Sequence, residues 1–311
     1  MAATEELKTV LITGGTDGLG RATALLLAEQ GYRVFATGRN AERRAALDAV
    51  ARERKFRLET LEMDVCEDAS VDRAVAEVER RAGAVEALVN SAGIAVVAAM
   101  EEITQRDLHQ QFETNVFGTV RVIQRVLPEM RKRRRGRIVN MSSVGGVVAN
   151  PLFGPYSGSK FAIEAVSDAL RLELRPFGIH VVVIQPGYIP SGMESASVGL
   201  SSQYTHGAAR SPYVQLYRNF LKFWKRSTAN PRYRPEHCAL VILRALRETP
   251  PKPRYTVTRD ARITRVVRRL LTDSMLDRML IRALEIDKIR EGSPSGEAQA
   301  EFEEFVGRER R

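Results

Sequence analysis

Short apolar runs rich in β-branched residues alternate along most of the chain with stretches whose apolar positions recur at helical spacing. Thr9-Val10-Leu11-Ile12 opens the series as a strand, and residues 21–30 follow as a helix ending at Gly31. The same rhythm predicts strands at 32–37, 57–63, 87–89, 137–141 and 180–184. Between them it predicts helices over 41–54, 71–81, 108–131 and 157–175. Strands this uniformly apolar, each followed by a helix, indicate a parallel sheet covered on both faces. The predicted fold is α/β, a doubly wound parallel sheet of the Rossmann type, in a single domain with a C-terminal helical extension.

After Pro186 the rhythm breaks. Residues 192–210 are rich in Ser and Gly and read as a mobile loop, and Ser211-Pro212 reads as a helix cap and first turn. Tyr213, Tyr217, Phe220, Leu221 and Trp224 follow at helical spacing. Ordinary packing onto the domain and a lid over an apolar substrate both account for them, and both can hold at once. Pro235 opens a helix to about residue 248, and a Pro-rich turn leads into a strand at 254–258. Residues 263–284 set Val266, Val267, Leu270, Leu271, Met275, Leu276, Met279 and Leu280 against several arginines. They read as a packed terminal helix, or two short ones; the alternative is contact with a membrane surface or a subunit through a basic amphipathic face. The expected division is a catalytic domain over 1–259, with its substrate lid at 192–235, and an extension with a polar tail over 260–311.

Composition narrows the class. The chain has 311 residues, 44% hydrophobic and 28% charged, enough apolar content for a substantial core. No run approaches the roughly 20 apolar residues of a membrane span. Met1 to Lys8 is polar and acidic, without the apolar stretch of a secretion signal. Cys66 and Cys238 stand far apart and without ligand spacing, so neither a disulfide framework nor a metal site is expected, and a cytoplasmic location fits. The net charge of +10 reads as an Arg-rich solvated surface, or as attraction for an anionic cofactor or an anionic membrane. No nucleic-acid-binding signature accompanies it. The cluster from Arg131 to Arg135 falls at a predicted helix end, where cations favour the dipole. His109, His180, His206 and His237 fit no expected role.

Thr13-Gly14-Gly15-Thr16-Asp17-Gly18-Leu19-Gly20 lies directly between the first strand and the first helix. Glycines there let the backbone turn tightly toward a pyrophosphate, whose charge meets N–H groups at the helix N-terminus. Gly14, Thr16, Gly18, Leu19 and Gly20 are the candidate contacts. An NAD site places a carboxylate about 20 residues beyond this loop, to bond the ribose 2′-hydroxyl. Here Gly38 occupies that place and Arg39 follows it. A guanidinium suits a 2′-phosphate that a carboxylate would repel, so NADP is expected over NAD.

Tyr156 and Lys160 stand at i and i+4, on one helix face. A free phenol titrates at about 10. A nearby ammonium and the positive ring of an oxidised nicotinamide would lower that value, fitting Tyr156 to exchange a proton with an alcohol or a carbonyl. Tyr-x-x-x-Lys alone is common by chance; its neighbours distinguish it. Ser142-Ser143 closes the strand before it, thirteen residues ahead of the tyrosine.

Together these motifs resemble the short-chain dehydrogenase/reductase family over residues 8–259. The glycine loop has the family's T-G-x-x-x-G-x-G form, and Ser143 stands at the family's spacing from its tyrosine, with Ser142 as the alternative. Asn90-Ser91-Ala92-Gly93 resembles the family's N-N-A-G segment, with Asn90, Ala92 and Gly93 as expected cofactor contacts. Asp64 and Val65 match the adenine contact. Pro186, Gly187, Ile189 and Ser191 match the segment that touches the nicotinamide, and Asn115 matches the asparagine that holds a water in the relay to the lysine. Asp17 departs from the pattern, since NADP-using members often carry a basic residue there.

The resemblance implies hydride transfer between NADP(H) and an alcohol or carbonyl carbon. Tyr156 would be the acid/base, Lys160 its modulator and ribose anchor, Ser143 the group that polarises the substrate oxygen, and Asn115 the support of the relay. The stretch from Tyr156 to Gly187 looks closest to members acting on hydroxysteroids, retinoids and other lipid alcohols. A reductase of 3-oxoacyl or other polar carbonyls, and a catalytically silent dinucleotide sensor, are the alternatives. A homo-oligomer, dimer or tetramer, paired through the helices around Asn115 and Tyr156, is also implied.

Overall fold

Seven parallel strands build one sheet in the computed structural model, which describes residues 9–192, 200–204, 211–229 and 231–289. In chain order they are β1 (Thr9–Thr13), β2 (Arg33–Gly38), β3 (Leu58–Glu62), β4 (Ala87–Asn90), β5 (Gly136–Met141), β6 (Ile179–Gln185) and β7 (Arg254–Thr256). Their order across the sheet is β3-β2-β1-β4-β5-β6-β7. The chain therefore winds outward from β1 in one direction and then restarts at β4 in the other. That reversal leaves a crevice at the C-terminal ends of β1 and β4, the usual place for a ligand in such sheets.

Strand pleating explains how one apolar run serves two faces. Val10 and Ile12 of β1 point to one side with Val34, Ala36 and Val89, under α1 (Gly18–Glu29), α2 (Ala41–Glu53) and α8 (Pro235–Arg247). Leu11 points to the other side with Phe35, Leu88 and Ile138, under α3 (Asp68–Ala82) and α5 (Gly118–Lys132). The end of α6 (Gly154–Glu173) and the turn beyond it join that second layer through Leu170, Leu174 and Phe177. A third apolar cluster sits over the crevice. In it Val96, Ala98 and Leu152 meet Tyr217 and Phe220 of α7 (Val214–Thr228). The aromatic stripe thus packs onto the domain through Tyr217 and Phe220.

Most predicted elements stand where the hydrophobic rhythm put them, and the differences have physical causes. The helix predicted over 108–131 is α4 (Gln105–Phe112) and α5 joined by a π-helical turn at Glu113–Phe117. Periodicity cannot show a single wider turn; such insertions mark functional sites. The helix read from Ser211-Pro212 begins at Val214, with Ser211 Oγ accepting from Tyr213 N at 2.9 Å. The stretch 263–284 is two helices, α9 (Arg259–Leu270) and α10 (Asp273–Ala283), divided before Thr272. Parts of the expected lid (193–199, 205–210 and 230) and the tail from 290 lie outside the described residues. No helix among the described residues is long and apolar enough to cross a membrane.

Candidate active site

The loop after β1 and the loop after β4 are tied at the crevice by one hydroxyl. Thr13 Oγ1 accepts from Ser91 N at 3.0 Å and from Ala92 N at 3.1 Å. Gly14 has φ +62°, and a Cβ there would lie 2.9 Å from Ala92 Cα, so both its conformation and its close approach require glycine. Asp17 caps α1 by accepting from Gly18 N at 2.9 Å. Its other carboxylate oxygen pairs with Arg43 Nη1 at 2.5 Å. Arg43, in the first turn of α2, was read from the sequence only as part of a helix. In the fold it stands beside Arg39 on the same cavity wall and neutralises the acid that departs from the family pattern.

Arg39 pairs with Asp64 at 3.3 Å. Burial pushes the Asp64 carboxyl up, but the Cys66 N–H and the Arg39 charge outweigh it and hold the group below its ordinary value. The approach of Gly38 to Thr16 is also tight. A Cβ on Gly38 would lie 2.3 Å from Thr16 Oγ1, so an aspartate at that position would displace a second cradle residue.

At the far end, α6 carries Tyr156 and Lys160. Lys160 Nζ donates to Met141 O at 2.8 Å and lies 5.6 Å from the centre of the Tyr156 ring. Burial pulls the lysine down to about 8, against the charge of Glu164 one turn further along α6. Tyr156 lines the cavity and is half-buried, and its hydroxyl is hydrogen-bonded to Ser143. Burial pushes the phenol up and outweighs the Ser143 hydrogen bond that pulls it down. Of the two adjacent serines, Ser143 bonds Tyr156, whereas the Ser142 hydroxyl is buried without a partner. Ser143 is held in place by Gly145 N, which donates to its Oγ at 3.0 Å.

These groups line one cavity of about 1160 Å³, larger than the space one small ligand needs. Gly14, Thr16, Gly18, Leu19, Gly20, Arg39, Asp64 and Val65 line one end. Ala92, Gly93, Ser143, Tyr156, Lys160, Pro186, Gly187, Ile189 and Ser191 line the rest of that wall. A dinucleotide fits this placement, with guanidiniums at one end, the helix N-terminus midway, and Tyr156 and Lys160 at the other. Two of the expected residues lie elsewhere. Asn90 turns its amide into the sheet and donates to Asn140 Oδ1 at 2.9 Å. Asn115, in the π-helical turn, is also buried behind the wall. Its Oδ1 accepts from Ile94 N at 2.8 Å, and its Nδ2 donates to Ile94 O and to Ser159 Oγ, each at 3.0 Å. The side chain pins the loop after β4 to α6, directly behind Gly93 and Lys160.

A family model of short chain dehydrogenases matches residues 8–198. The chain belongs to the short-chain dehydrogenase family. It is an oxidoreductase of a fold that binds a nicotinamide dinucleotide. Among its relatives are the 3-ketodihydrosphingosine reductase of Bacteroides thetaiotaomicron, 39% identical over 65% of this chain and 73% of that one. The 17-beta-hydroxysteroid dehydrogenase type 1 of Homo sapiens is 32% identical over 80% and 77%. Retinol dehydrogenase 8 of Bos taurus is 32% identical over 81% and 82%. Among solved structures, a variant of actinorhodin polyketide ketoreductase with NADPH superposes with a TM-score of 0.70 and 28% identity, covering 83% of this chain and 97% of that one.

The short-chain dehydrogenase motifs explain the polar wall, while the opposite wall was only half legible. Phe153 meets the Tyr156 ring edge-on at 5.8 Å and stacks on Trp224 at 5.7 Å. Tyr188 meets Trp224 edge-on at 5.3 Å. The lid reading of the aromatic stripe had pointed to Trp224, but nothing in the sequence pointed to Phe153. The residues around the start of the C-terminal extension, and the extension itself, contribute too. Thr258 Oγ1 accepts from Gly187 N at 3.0 Å, and a Cβ on Gly187 would collide with Asp260. Ile263 and Val267 of α9 and Met279 of α10 line the cavity as well. No local signal marks contacts 71 residues apart in the chain.

Proposed function

We propose that this protein is an NADP(H)-dependent oxidoreductase that interconverts an alcohol and a ketone or aldehyde on an apolar, steroid-, retinoid- or lipid-like substrate. The observation that carries this reading is the convergence of Ser143, Tyr156 and Lys160 on a cavity with guanidiniums at one end and aromatic rings over the other. When bound, the nicotinamide supplies or accepts the hydride. Tyr156 gives its hydroxyl proton to a substrate carbonyl oxygen, or takes the proton of an alcohol. Ser143 donates to that same oxygen as charge builds on it. Lys160 holds the nicotinamide ribose and, as an ammonium, favours the phenolate of Tyr156 during transfer. Asn115 supports the relay behind Lys160 by fixing the Ile94 loop against α6.

The NADP preference rests on Arg39 and Arg43, which share the cavity wall next to Gly38 with no carboxylate at that position. The apolar substrate class is supported by the Phe153–Trp224–Tyr188 wall and by relatives named for sphingoid, steroid and retinol chemistry. Phe117 and Phe161 are large apolar side chains left exposed near Asn115 and Tyr156, which suits pairing of subunits through those helices. Two unpaired cysteines suit a cytoplasmic setting.

The test is a panel of steroids, retinoids, aliphatic ketones and 3-oxoacyl thioesters, each assayed with NADPH and with NADH. Turnover of an apolar carbonyl with NADPH, abolished in Tyr156→Phe with cofactor affinity retained, is the expected result. Preference for 3-oxoacyl thioesters, or no turnover of any carbonyl, would overturn it in favour of a polar-substrate reductase or a silent sensor.

A further inference from the structure

α9 and α10 leave a stripe of large apolar side chains uncovered. Val266 is 56% exposed, Leu270 76% and Met275 48%. Ile263 and Met279 belong to the same stripe and also line the cavity, so its apolar interior continues onto the protein surface between these helices.

The stripe is bordered by one sign of charge. α9 and α10 carry seven arginines against three aspartates. Arg268 is paired with Asp273 at 2.8 Å, and Arg265 reaches Gln185 at 3.5 Å. By helical spacing Arg262 and Arg269 flank Val266, and Arg278 and Arg282 follow Met275 and Met279 by three residues. All four are exposed. A two-fold contact through this face would set the same arginines against one another, which argues against a second copy as the occupant. An anionic surface that accepts apolar side chains between its charges is complementary on both counts.

We propose that α9 and α10 dock on an anionic lipid bilayer, with Val266, Leu270 and Met275 in the headgroup region and the cavity mouth facing the membrane. The passage of an apolar substrate from bilayer to cavity rests on the function proposed above; the docking itself does not.

The experiment is co-sedimentation of the full chain with vesicles of phosphatidylcholine alone and of phosphatidylcholine mixed with phosphatidylserine. Binding is expected to the mixed vesicles, to weaken as salt screens the arginines, and to fall about fivefold in Arg269→Gln. The double variant Val266→Asp/Leu270→Asp should lose binding while turning over a small soluble carbonyl at the wild-type rate, since neither residue lines the cavity. Absence of binding to the mixed vesicles, or equal binding by the double variant, would overturn docking. So would a wild-type dimer, seen by light scattering, that binds no vesicles and that the double variant converts to monomer. A chain that binds vesicles but reduces no apolar carbonyl would instead sink the proposed function and leave docking in place.

Discussion

Glu164 stands one helical turn beyond Lys160 on α6, and its charge opposes the burial that brings the lysine down to about 8. The carboxylate is itself held in place: Gln185 Nε2 donates to it at 3.0 Å and Arg254 Nε at 2.8 Å. Arg254 also binds Asp168 at 2.6 Å, so β7 and α6 are joined through charge one to two turns beyond Lys160. Under the proposed function Glu164 is expected to be a positioning residue, acting through Lys160.

Its removal should show in the pH profile. Lys160 carries its proton below about 8 and loses it above. Without the Glu164 charge the burial effect stands unopposed, so the lysine pKa falls and the ammonium is lost at lower pH. In Glu164→Gln, the alkaline decline of kcat/KM for carbonyl reduction should move to lower pH, and Glu164→Asp should restore much of it. This limb reports the free enzyme. Coincident profiles for wild type and Glu164→Gln would remove the role.

Cofactor choice can be tested at Arg39. Gly38→Asp is a poor probe, because the new side chain would strike Thr16. Arg39→Ala keeps the cradle intact and should raise KM for NADPH by roughly tenfold or more, the loss of a charge-assisted contact, while leaving KM for NADH near its wild-type value. Equal effects on the two cofactors would show that Arg39 does not read the 2′-phosphate.

Trp224 offers a test of the apolar wall. Trp224→Ala removes the partner on which Phe153 and Tyr188 rest. KM for a bulky apolar carbonyl should rise about tenfold or more, from the lost aromatic contact area. Turnover of a small ketone, which does not reach the wall, should change little. A uniform fall in kcat for both would mean that Trp224 acts through the position of Tyr156 instead.

Arg137 is a stability residue far from the cofactor. Its Nη1 donates to Ala245 O, Leu246 O and Glu248 O at 2.7, 2.7 and 2.8 Å, closing the C-terminal end of α8 from β5. Arg137→Leu would leave those carbonyls buried or newly wetted, at a cost of roughly 3 kcal/mol. Denaturant unfolding should show a lower midpoint with an unchanged slope, and a midpoint equal to wild type would count against the cap.

The sequence alone determined the layers and the polar wall. Period-two and period-3.6 hydrophobicity are local consequences of how strands and helices bury one face, so β1 to β7 and most helices were legible from residues a few positions apart. The placement of the glycine loop, Ser143, Tyr156, Lys160 and the Pro186–Gly187 turn on one cavity was legible for a related reason, since each is marked by backbone geometry or spacing within a short segment. Tertiary structure decided what depends on distant contacts. It placed Arg43 against Asp17, sent the Asn90 and Asn115 amides behind the wall, and raised the Tyr156 phenol by enclosing it. It also brought Asp260 against Gly187 and set side chains of α9 and α10 in the cavity lining. Desolvation and cross-chain packing are properties of the assembled interior, and no segment carries them before the chain has folded.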